Sequence, residues 1–149
     1  MALVGIVAGE QLLIKIGDGG SPEVFTHTCL INTTRDVAFK SNLTTTEVAD
    51  CANQALPAVI VKKVKSIDFS VSGAGKTDAT SIWAFIQWWQ SAVPKDIQIV
   101  QNLTGAGGGF TGAGTAILAD FKTGGTRGDY QDFTCTIDAA APFVWTQNP

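Results

Sequence analysis

The chain has 149 residues, enough for one domain with a single core. Hydrophobic residues make up 45% of it and charged residues only 15%, against a usual charged share of about 25%. A net charge of −3 excludes the basic footprint that grips phosphate backbones. One histidine, His27, and three cysteines without CxxC spacing exclude the usual zinc sites, and no apolar run approaches the roughly 20 residues needed to cross a bilayer.

The charge deficit fits either a Thr/Ser/Gly-rich monomer surface or one partly covered by further copies of the chain. Residues 1–9 lack the basic start of a secretory signal and read as an N-terminal arm or an edge strand of a protein made in a cytoplasm. Residues 10–17 read as a strand ended by the turn residues Asp18-Gly19-Gly20-Ser21-Pro22. A second strand is expected over Val24–Ile31 and a third over Arg35–Asn42, with Val37, Phe39 and Ser41 on one face. Cys29 and Cys135 fall inside strand-like runs, where a free cysteine serves as a small hydrophobe.

From Leu43 to Lys63 neither a period of two nor a helical stripe is sustained, which predicts a long loop. It carries Leu56, Val59, Ile60 and Val61, so it packs on something, either its own domain or a neighbouring copy. Val64–Ser72 alternates, with Ile67, Phe69 and Val71 on one face and Ser66, Asp68 and Ser70 on the other. Asp78–Ala92 is the one clear helix, N-capped by Asp78, with Ile82, Phe85, Ile86 and Trp89 as its core stripe and Pro94 ending it. Trp83 and Trp88 flank that stripe, as a wider core contact or as an interface anchor.

Asp96–Asn102 reads as a strand, Gly105–Gly114 as a flexible loop, and Thr115–Thr123 with Asp129–Asp138 as a hairpin turning at 124–128. In its second strand Phe133, Cys135 and Ile137 lie opposite Asp132, Thr134 and Thr136; in its first, Ala116 and Leu118 lie opposite Ile117, Ala119 and Phe121. Phe143-Val144-Trp145 adds a short strand. Seven or eight strands and one helix predict a mainly β fold, a β-sandwich or partly rolled barrel.

Three patterns suggest chemistry, each weakly. Ser70-Val71-Ser72-Gly73-Ala74-Gly75-Lys76-Thr77 is one glycine short of a phosphate-binding loop and lacks the alternating strand-helix context, so it reads as a turn into the helix. The glycines of 105–114 precede a strand, whereas a dinucleotide fingerprint must open a helix. Neither His27 nor the acids Asp120 and Asp132 form an acid–base set. No catalytic residue, metal site or cofactor is expected, and the chain reads as a non-enzyme.

The order of three segments carries a resemblance: Leu12-Leu13-Ile14-Lys15-Ile16-Gly17, then Phe39 to Val48 with Asn42, Thr44, Thr45, Glu47 and Asp50 around it, then Ser66-Ile67-Asp68-Phe69-Ser70-Val71-Ser72-Gly73 leading into the helix. Across most of residues 10–138 this resembles the major tail protein, or tail tube, family of long-tailed bacteriophages. The resemblance implies one tail-tube-like domain over 1–149, six copies per ring, an inner β-barrel built from strands of every subunit, and rings stacked into a tube in the virion. It implies that the loop at 43–63 joins rings through Leu43, Thr45, Glu47, Val48, Asp50, Leu56, Val59, Ile60 and Val61. Asp68, Ser70, Asp120 and Asp132 are candidates to face the lumen. The implied partners are the chain itself and the tape-measure and tail-terminator proteins, with DNA as non-specific cargo and no membrane insertion; the implied site of synthesis is the host bacterial cytoplasm. The competing expectation is a carbohydrate- or surface-binding β-sandwich, motivated by four Trp and eight Phe.

Overall fold

The computed structural model describes residues 5–149; the part of the N-terminal arm before Gly5 lies outside them. Eight strands and one helix follow in the order β1 (Leu12–Gly17), β2 (Phe25–His27), β3 (Thr34–Val48), β4 (Val59–Lys76), α1 (Ile82–Ser91), β5 (Lys95–Gln101), β6 (Phe110–Gly124), β7 (Asp132–Ala139) and β8 (Val144–Gln147). The fold is mainly β with one helix, as the sequence predicts. The strands form one sheet in the order β2-β1-β5-β6-β7-β4-β3, with β8 added beside β6, and the sheet does not close on itself.

The chain divides into two compact units. The larger comprises the segments before Ala38 and after Phe69, and the smaller, Ala38–Phe69, is the distal hairpin of β3 and β4. The core belongs to the larger unit. Ile14, Val71, Ile97, Ile99, Ala116, Phe133, Cys135 and Ile137 bury one face of its sheet. Phe85 and Trp88 of α1 and Leu30 and Ile31 of the 3-10 turn Cys29–Ile31 are buried with them. Phe85 meets Phe133 edge-on at 5.3 Å, and Phe121 stacks on Phe133 at 6.0 Å, a geometry that adds to the area term through complementary ring quadrupoles.

Several local expectations change. The predicted strand Val24–Ile31 is the three-residue β2 followed by that 3-10 turn. The region Gly73–Lys76 is strand rather than turn, paired with β7 from Gly73↔Cys135 to Lys76↔Asp132. Its glycines are there for space: a Cβ on Gly73 would overlap the Ile31 side chain, and one on Gly75 would overlap the Leu30 carbonyl. Likewise β6 starts at Phe110, inside the expected flexible loop. A Cβ on Gly112 or Gly114 would run into the rings of Trp145 and Phe143 respectively.

The helix buries Trp88, whereas Trp89 of the predicted stripe is 59% exposed. Both positions are a turn from Phe85; Trp88 wins because its indole Nε1 donates to the Val93 carbonyl at 3.0 Å, which satisfies the one polar atom of a buried ring. Asp78 does not cap α1 directly, since Ser81 stands at the N-cap; its carboxylate accepts from the Ser81 and Thr80 hydroxyls and so shapes the turn that enters the helix.

In the β6–β7 hairpin the register shifts between Leu118 and Asp120. This β-bulge puts Leu118, opposite Ile137, and Phe121, opposite Cys135, on the same core face, where strict alternation would have separated them. Two substitutions test this packing in urea melts. Phe133→Ala is expected to cost about 3–5 kcal/mol. Gly75→Ala, which sets a methyl against backbone, is expected to cost about 1–3 kcal/mol, although at an exposed strand position it would be nearly neutral.

Candidate functional site

Two surfaces stand out once the core is sealed. The first is the face of the larger unit's sheet that lies away from the core. Because side chains alternate along a strand, the strand registers place Ser70, Ser72, Ala74 and Lys76 of β4 beside Asp138, Thr136, Thr134 and Asp132 of β7. Ile117, Asp120 and Lys122 of β6 follow across β7, and Lys15 of β1 pairs with Gln98 of β5, two residues from Asp96. A hollow of about 260 Å³ opens among Thr34, Asp36, Ser72, Asp120, Thr134 and Thr136.

The strands of this face therefore carry five aspartates, Asp36, Asp96, Asp120, Asp132 and Asp138, against Lys15, Lys76 and Lys122, a net charge of −2. Lys76 and Asp132 form a salt bridge, and that contact raises the lysine's pKa. Of the four lumen candidates, Ser70, Asp120 and Asp132 come together here. Asp68 belongs to the distal hairpin, where its Oδ1 accepts from the Phe69 backbone N–H. Asp36, Asp96 and Asp138 were not singled out by sequence; only the strand register brings them to this face.

At one end of this face, a contact with the Asp96 carboxyl raises the pKa of Glu23, while the N–H of Gly19, which donates to its Oε1 at 3.2 Å, works in the opposite direction. Asp18 is lowered, mainly because it accepts from the N–H groups of Gly20 and Val24. A carboxyl whose folded pKa lies above its unfolded value holds its proton more tightly in the folded state. Its contribution is full below the unfolded pKa and is lost as pH rises through the folded one. Glu23→Gln keeps the shape and removes the titration. Its urea midpoint is expected to exceed that of the wild type at pH 7 and to match it near pH 3.

The second surface is the distal hairpin. Leu43, Thr45, Glu47 and Val48 of β3, Asp50 and Leu56 of the turn, and Val59, Ile60 and Val61 of β4 are all exposed. The predicted long loop is thus about half strand, with residues 49–58 outside β3 and β4. The tip is held by its own bonds: Asp50 Oδ1 accepts from the N–H groups of Ala52 and Asn53, and Asn53 Oδ1 from that of Ala55.

His27 Nδ1 lies 3.0 Å from the Ile14 carbonyl oxygen, and burial lowers its pKa. Burial pushes the Cys135 thiol up to about 11. A protonated, buried thiol is a poor nucleophile, so at pH 8 peptide mapping after maleimide treatment is expected to find label on exposed Cys51 and not on Cys135. Among the described residues no group of three or more His, Cys, Asp or Glu could hold a metal ion.

The model of the family described as phage tail tube protein matches residues 6–144. No curated protein matches the chain by sequence. Among solved structures, the chain is similar to the tail of an empty gene transfer agent particle, determined with C6 symmetry, with a TM-score of 0.72 and 19% identity over 95% of this chain and 99% of that one. It is also similar to the tail tube of SPP1, with a TM-score of 0.68 and 7% identity over 96% and 80% of the two chains. The tube-terminating cap of the anti-feeding prophage follows at a TM-score of 0.61 and 13% identity, over 99% of this chain and 95% of that one. At these identities the three structures speak for the fold.

Proposed function

The chain belongs to the phage tail tube protein family, and we propose that it builds hexameric rings that stack into a tube around a channel for DNA. The observation that carries the stacking is the distal hairpin, whose apolar residues Leu43, Val48, Leu56, Val59, Ile60 and Val61 are all at least 50% exposed. A concentration of exposed apolar side chains of this kind marks an interaction site, and a sheet with two open edges is a template for further strand pairing unless something closes it. A ring supplies the closure: six copies place their strands in one inner barrel, and the hairpins reach the next ring. The ring order follows the C6 symmetry of the gene transfer agent tail.

The acidic polar face suits the lumen. Its net charge of −2 is the same sign as DNA phosphates and disfavours adhesion of a passing genome. The role is structural and non-catalytic, with a tape-measure protein inside the tube and a terminator at its end as further partners, in a virion assembled in the bacterial host. The family match leaves the carbohydrate-binding alternative without support.

Negative-stain microscopy tests both levels. Wild-type protein is expected to give rings and, at higher concentration, tubes. Leu56→Asp combined with Val59→Asp is expected to leave rings intact and to raise the concentration needed for tubes tenfold or more, roughly the loss of one interface hot spot. A wild-type chain that stays monomeric at every concentration would contradict the proposal.

A further inference from the structure

Helix α1 has a second face that the core does not use. Trp83 and Trp89 are each 59% exposed, as is Val93 just beyond the helix. Between Asp78 and Lys95 there is no charged residue. A helix lying on a soluble domain normally carries its ions on the side turned to water, whereas depletion of charge with enrichment of tryptophan is the composition of an interface core.

The distal hairpin offers a matching face. Ring contact between Phe39 and Phe69 marks one of its sides, and the hydrogen bond from Asn42 Nδ2 to Ser66 Oγ marks the other. By alternation, Leu43, Val61 and Ile67 share the Phe39 side, and Ile67 is 80% exposed. The charges on that side are Lys63 and Lys65 toward the middle and Glu47 toward the tip.

We propose that the outer face of α1 in one subunit, Trp83, Trp89 and Val93, docks on the Leu43–Val61–Ile67 face of the distal hairpin of a second copy of this chain. This rests on the tube reading and names the surface that receives the hairpin. The charged side chains select the occupant and its direction: Asp78 at the start of the helix meets Lys63 and Lys65, and Lys95 beyond its end meets Glu47. The helix face carries no ions; on the hairpin Lys63 and Lys65 stand between Val61 and Ile67, so their aliphatic stems join the contact while their ammonium groups reach its edge. The chain already uses the same packing once, where Phe85 and Trp88 of α1 cover the sheet at Phe133. Two different patches on one chain make a head-to-tail contact, which generates rings or helical stacks rather than isolated dimers.

Site-directed crosslinking under assembly conditions tests this. In a Cys51→Ser background, Trp83→Cys with Ile67→Cys is expected to give a ladder of disulfide-linked multimers on non-reducing gels, and each single variant only monomers. Tubes that form yet run as monomers would overturn the docking and leave the tube reading standing. A parallel measurement needs no new cysteine. On assembly of the unaltered chain, acrylamide quenching of tryptophan fluorescence is expected to fall at least twofold, and the Trp83→Phe/Trp89→Phe variant should lose most of that change. Unchanged quenching in assembled tubes counts against the docking, and failure of the unaltered chain to assemble removes both readings.

Discussion

A two-stranded hairpin has two faces and, alone in water, covers neither. Between Ala38 and Phe69 the strands β3 and β4 place aliphatic side chains on both sides, and only Phe69 is buried among these residues. Isolated hairpins are marginal; in the proposed tube, contacts with other copies supply the free energy that fixes this one. The charge deficit of the sequence fits the same proposal, because surface destined for a subunit contact has no use for ions that would have to be desolvated.

The larger unit provides a rigid base. Glycines set the distances: Gly73 and Gly75 let the Leu30–Ile31 turn lie directly on β4, and Gly112 and Gly114 take the rings of Trp145 and Phe143. With the core on one side of the sheet, every strand must turn its polar residues to the other. The aspartates of β3, β5, β6 and β7 gather on that face as a by-product of register, and in the proposed tube a channel for a polyanion puts that sign of charge to use.

The parts of this architecture that were legible in the sequence are those where burial imposes a period. Phe133, Cys135 and Ile137 alternate because one side of β7 is core, and α1 shows a stripe because it lies on a sheet. The distal hairpin was illegible for the opposite reason. With no buried side, nothing enforces alternation from Leu43 to Lys63, and strand looked like loop. Trp88 and Trp89 exchanged roles because helical spacing permits both and only the bond to Val93 decides between them. The bulge at Ala119 and the glycines of β4 and β6 leave no local signal, since their causes lie in residues distant in sequence.

Hydrogen–deuterium exchange, followed by mass spectrometry before and after assembly, tests the central claim most directly. Amides of Ala38–Phe69 are expected to exchange quickly in the free subunit and to become strongly protected in the assembled state, while β6 and β7 stay protected throughout. Assembled particles in which the hairpin still exchanges at its free rate would contradict the account.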